Sequence, residues 1–141
     1  MSTLRQQVSE FHIAMGQPIA EAPTTPSRAR LELRLRLVLE EFHELLEAAG
    51  YYESDDWSLE KDSTREFDLP AVADALADLD YVIEGARLEF GINGGPIADV
   101  VHAANMAKLG GPKSPTGKQL KPPGWTPPDI AGELRKQGWD G

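Results

Sequence analysis

The chain has 141 residues, enough for one modest domain, and its 23 acidic against 14 basic side chains leave a formal charge of −9. That excess argues against duplex nucleic acid, which calls for a basic footprint, but it leaves open a single nucleotide bridged by a cation. The absence of cysteine removes disulfides, thiolate metal sites and cysteine nucleophiles, while the lack of a long apolar run or a signal-peptide core makes a cytoplasmic protein without a membrane partner the expectation.

In chain order, residues 2–15 read as a helix, capped by Ser2 or Thr3, with Leu4, Val8, Phe11 and Met15 at helical spacing. Gly16 ends it, and the proline-rich stretch "GQPIAEAPTTPS" connects to a long helix capped by Ser27, which runs to Ala49 and closes at Gly50. Residues 51–67 are polar and aperiodic, and read as a loop with at most a helical turn. Asp68 and Pro70 open a third helix that reaches Phe90 and stops at Gly91. A fourth is expected from Pro96 to about Leu109, before Gly110 and Gly111. Residues 110–128 carry too many prolines for regular structure, and "DIAGELRKQ" reads as a short final helix. No segment reads as a strand. The expected fold is one all-α domain over residues 1–141, a four-helix-bundle-like subunit with an irregular Pro/Lys-rich tail.

The second helix contains "EEFHE", placing Glu40, Glu41 and Glu44 within little more than one turn, where like charges repel. At about 100° per residue its apolar face, expected to be core, comprises Leu31, Leu35, Val38, Leu39, Phe42, Leu45 and Leu46. The acids interrupt a second face that still offers Leu33, Leu37 and Ala48 for burial. The third helix repeats the pattern: Val72, Leu76, Leu79, Ile83 and Ala86 form the expected core stripe, while Asp74 and Asp78 stand one turn apart among small and apolar neighbours. Half-buried carboxylates are costly unless compensated, and a hard divalent cation such as Mg²⁺ or Mn²⁺ compensates them. A solvated acidic face remains the other reading of these residues.

Beyond the fourth helix the charge changes sign. Asn105 and Lys108 lie one turn apart, and Lys108, Lys113, Lys118 and Lys121 fall in a stretch without an acid, from Lys108 to Pro128. Acids at one end and lysines at the other suit a polyphosphate substrate. Trp125, among stiff prolines, reads as an anchor for the tail.

Three motifs, "EEFHE" (40–44), "VADALADLDYVI" (72–83) and "VHAANMAKLG" (101–110), resemble the MazG-like all-α nucleoside triphosphate pyrophosphohydrolases, a superfamily that includes dimeric dUTPases and phosphoribosyl-ATP pyrophosphohydrolase. The resemblance extends loosely over most of the chain. It implies hydrolysis between the α and β phosphates, a homodimer or higher oligomer, and Mg²⁺ (or Mn²⁺) held by Glu41, Glu44 and Asp78. The glutamate expected three residues before Asp78 is Ala75, and Asp74 is the substitute on the same face. Physical roles then assign the rest: Glu40, adjacent to the ligand set without being needed in it, is the candidate general base, Lys108, Lys118 and Lys121 would neutralise the phosphates, and Asn105 would bond the sugar or a phosphate. Gln17, Tyr81, His12 and Trp57 are candidates for the base. dUTP is the first-choice substrate. The rival readings are a carboxylate-bridged di-metal redox bundle, from Glu40-x-x-His43 and Asp99-x-x-His102, and a non-catalytic helical dimerisation module.

Overall fold

Each helix begins where its capping chemistry places it. The computed structural model describes residues 1–141. Helix α1 (Leu4–Ala14) starts in a capping box between Thr3 and Gln6, and α2 (Arg28–Ala49) starts at Ser27, whose hydroxyl accepts from the Arg30 amide. Gly50 closes α2 in the left-handed region, at φ 80°. Asp68 caps α3 (Leu69–Glu89). Helix α4 (Gly94–Met106) begins two residues earlier than Pro96 suggests, because the Asn93 side chain caps the Gly95 amide. Helix α5 (Ile130–Lys136) is capped by Asp129. No helix is long and apolar enough to cross a membrane.

The segment read as a loop contains a small antiparallel hairpin, which corrects the expectation of no strand. Strands β1 (Tyr51–Glu53) and β2 (Leu59–Lys61) pair with Tyr52 opposite Glu60. Three-residue strands are too short to show alternation. This hairpin is held at its turn instead, where the Asp56 carboxylate accepts from Ser54 Oγ, Ser58 N and Ser58 Oγ.

Helices α2 and α3 are antiparallel: the Asp68 amide at the start of α3 bonds the Ala48 carbonyl at the end of α2, while Arg34 near the start of α2 pairs with Glu89 at the end of α3. Helix α1 packs on α3, and α4 packs chiefly against α5. The all-α expectation holds, but the predicted core does not. Leu31, Leu35, Leu39 and Phe42 are 37, 59, 49 and 37 % exposed, Leu76 is 49 % exposed, and the rest of both stripes is half-buried. The seam between α2 and α3 instead buries the side carrying small and charged residues: Arg34, Ala75, Gly85 and Glu89 are all buried. Small residues let two backbones approach, and oppositely charged partners offset the burial of the rest.

Candidate active site

The seam has two ends with opposite solutions to the problem of buried charge. At one end the charges are paired. Arg30 Nε and Arg34 Nε both engage the Glu89 carboxylate, the former at 2.6 Å. Arg5 and Arg87 flank Glu84 at 2.8 and 2.9 Å. His12, 2 % exposed, has Nδ1 3.0 Å from the Pro18 carbonyl oxygen and Nε2 3.5 Å from Arg34 Nη2. That geometry fits a neutral ring with its proton on Nδ1. Burial lowers the pKa of His12 below its ordinary value, with Arg34 and Arg30 adding to the effect and the Pro18 bond opposing it.

At the other end the charges are unpaired. Glu41 projects into the seam, and its pKa is raised, first by burial and then by repulsion from Glu44, Asp78, Glu40 and Asp74. Its Oε2 atom is buried and has no hydrogen-bond partner. Glu40, Glu44, Asp74 and Asp78, predicted from two helices, are thus brought within electrostatic reach of Glu41. No three of them stand close enough to form a finished ligand set in this structure. Beside them Glu44 and Asp74 line a cleft of about 520 Å³, walled by Glu47, Glu66, Asp68 and Arg65, with Ala48, Ala71 and Ala75 on its apolar side. A donor set made only of carboxylates, one with an orphaned buried oxygen, fits a hard divalent cation. Ala75 is 4 % exposed in the seam, where the motif pattern expects a further carboxylate.

The remaining candidates divide. Tyr81 follows Asp78 by three residues and meets Phe11 edge-on at 5.7 Å, so an aromatic pair borders the acids. Gln17 Oε1 accepts from Arg30 Nη2 at 2.8 Å and belongs to the paired end, as does His12. Trp57 is 82 % exposed at the hairpin tip with φ 65°, beside Phe42, Leu46 and Leu59. Lys108 Nζ donates to Asn105 Oδ1 at 2.8 Å, one helical turn away as the spacing predicts. Trp125 anchors the tail by donating from Nε1 to the Ala104 carbonyl at 2.7 Å, and its ring carries Lys108 and Lys121 at 5.5 and 4.6 Å. Lys118 sits in the neighbouring turn, its amide bonded to Ser114 Oγ. Lys108 and Lys121 gather at Trp125, and none of the three lysines lines the acid cleft. His43 and His102, the histidines of the redox reading, are both exposed, on α2 and α4.

Arg65 escaped notice in the sequence because it stands in an aperiodic stretch with no motif around it. The paired network escaped it too, although the arginines of α2 at helical spacing and Gly85 on α3 are its traces.

Residues 8–105 match the family model described as phosphoribosyl-ATP pyrophosphohydrolase, a span that takes in α1 from Val8, the whole seam and Asn105. No curated protein matches the chain.

Proposed function

Because the chain belongs to the phosphoribosyl-ATP pyrophosphohydrolase family, we propose that the acid end of the α2/α3 seam is a metal-dependent site that hydrolyses a nucleotide between its α and β phosphates, with dUTP the first-choice substrate. The observation that supports this reading best is Glu41, whose buried oxygen has no hydrogen-bond partner and whose carboxyl is repelled by four other acids, an arrangement that a divalent cation would make favourable.

Glu41, Glu44, Asp78 and Asp74 would hold Mg²⁺ or Mn²⁺. Such an ion neutralises charge on the phosphates and acidifies water bound to it. Glu40, next to this set without belonging to it, accepts the proton of the attacking water. The Tyr81–Phe11 pair offers an aromatic edge to the base, and Asn105, bonded to Lys108, offers a polar contact for the sugar or a phosphate from the copy that supplies the lysines. Positioning and electrostatics carry the rate, and no covalent intermediate is needed.

The reading includes a homodimer or higher oligomer. Only three apolar residues, Val8, Ala75 and Leu88, are buried in the single chain, too few for a stable core. The stripes Leu31–Leu35–Leu39–Phe42–Leu46 and Val72–Leu76–Leu79–Ile83–Ala86 each lie about 120° round from the seam, and in an antiparallel pair equal rotations bring both to the same side. They form one apolar slab suited to a second copy. Lys108, Lys118 and Lys121, standing outside the cleft of their own chain, are delivered to the phosphates from another copy.

The family match favours a second substrate, phosphoribosyl-ATP. Incubation with dUTP, dCTP, dTTP, 8-oxo-dGTP and phosphoribosyl-ATP, each with Mg²⁺ or Mn²⁺, separates the two. The expected products are pyrophosphate and the corresponding monophosphate, fastest from dUTP. Fastest release from phosphoribosyl-ATP replaces the substrate assignment, and no pyrophosphate from any of them ends the enzymatic reading.

A further inference from the structure

Arg65 is the one basic side chain that lines the cleft with Glu44 and Asp74. Its backbone is clamped to the end of α2. Lys61 Nζ donates to both the Arg65 and the Gly50 carbonyls, at 3.1 and 3.4 Å, and the Arg65 amide donates to the Asp62 carbonyl at 3.3 Å. Gly50 makes this closeness possible, since a Cβ there would stand 3.0 Å from the Arg65 carbonyl oxygen. The side chain is held more loosely. Its guanidinium donates to Glu47 Oε2 at 3.1 Å and lies 3.3 Å from Asp62 Oδ2, and the Arg65 and Glu47 side chains are 47 and 57 % exposed. A pair so open to solvent contributes little and is readily exchanged. The result is a fixed base carrying a cationic fork that can change partners, at the edge of a cleft whose other charged walls are acids. A polyphosphate entering that cleft brings several anionic oxygens that can take the guanidinium fork two at a time, where Glu47 now accepts a single N–H of Arg65.

We propose that Arg65 is a catalytic residue of this cleft, leaving Glu47 to bind the β-phosphate of the nucleotide and stabilise the departing pyrophosphate. The proposal rests on the pyrophosphohydrolase reading above. In the step, the water oxygen bonds to the α-phosphorus and its proton passes to Glu40. The bond from the α-phosphorus to the α,β-bridging oxygen breaks, and its electron pair stays on the pyrophosphate oxygen, to which an Arg65 N–H donates. A preorganised donor aimed at that charge acts mainly on the transition state.

Steady-state hydrolysis of the best nucleotide of the panel, with Mg²⁺, is to be compared for the wild-type chain, Arg65→Ala and Arg65→Lys. Melting curves of each variant separate a lost role from a lost fold. The expected result is a kcat for Arg65→Ala lowered by about 10²–10³-fold with a smaller change in KM. Millimolar guanidinium restores part of that loss, Arg65→Lys restores little, and the melting temperatures stay together. A guanidinium response belongs to a missing cation in the cleft and would not follow from a structural role. Wild-type turnover with Arg65→Ala within about twofold in kcat, or a large loss that guanidinium leaves untouched, overturns the role of Arg65 alone. A wild-type chain that releases no pyrophosphate overturns the underlying reading, and the role with it.

Discussion

Glu41 and His12 sit in the same helical seam and respond to pH in opposite senses. The raised pKa of Glu41 means that the folded state holds its proton more tightly than the unfolded chain does, so ionisation at neutral pH costs stability. Glu41→Gln removes that cost, and the melting temperature of the metal-free protein is expected to rise. Millimolar Mg²⁺ should raise the melting temperature of the wild type, by linkage of binding to folding, and should leave the variant unmoved. A wild type indifferent to Mg²⁺ and Mn²⁺ alike would count against the ligand set. His12 titrates the other way. Its folded pKa lies below the ordinary 6.5, so the stability of the neutral ring is fully present above pH 6.5 and is lost as pH falls through that value, where the unfolded chain takes up the proton first. Urea unfolding from pH 8 to pH 5 should show this loss in the wild type and a flatter profile in His12→Gln. Parallel profiles would remove His12 as the cause.

At the scale of elements, the contact of α2 with α3 depends on residues with almost no side chain. A Cβ on Gly85 would lie 2.8 Å from Arg34 Nη1 and 3.1 Å from His12 Nε2, and neither group is free to leave, since Arg34 is committed to Glu89 and His12 to Pro18. Gly85→Ala is therefore expected to destabilise the fold by about 1–3 kcal/mol, read from the denaturant midpoint. An unchanged midpoint would mean that the paired end is more yielding than its packing suggests. The tail follows a similar rule, in which one well-placed group organises many. Gln119 Nε2 donates to the carbonyls of Lys108, Gly111 and Pro112, and Trp125 pins the chain to Ala104. A segment with little regular structure is thereby fixed, with Lys108 and Lys121 over the Trp125 ring.

At the scale of the whole molecule, the single chain leaves its most apolar surfaces uncovered. Leu35 and Leu76, at the middle of the two stripes, are 59 and 49 % exposed, which suits an interface and poorly suits a free surface. Leu35→Glu puts a charge in the middle of the slab. It is expected to weaken self-association by at least about tenfold, measured by sedimentation or light scattering over a dilution series. Since the lysine cluster stands off its own acid cleft, hydrolysis should fall along with association. A wild-type chain that stays monomeric at high concentration would remove this interface, and with it the delivery of lysines from a second copy.

The elements were legible because they are written locally. Thr3, Ser27 and Asp68 are caps, Gly50 is a stop, and their chemistry acts within four residues, so α1, α2 and α3 appear within a residue or two of their predicted bounds. The acids of "EEFHE" and of Asp74 and Asp78 were legible as helix faces for the same reason. What the amino-acid order left open was which face of each helix turns inward. Periodicity marks an apolar stripe but does not say whether the same chain or another one covers it, and here the inward side is the one with Gly85, Ala75 and their charged neighbours. The same gap concealed Arg65, which reaches the cleft only because the hairpin and Gly50 fold residues 61–65 back onto the end of α2. Side-chain chemistry along one helix is a short-range property, readable from spacing, whereas burial is decided by what arrives from far along the sequence.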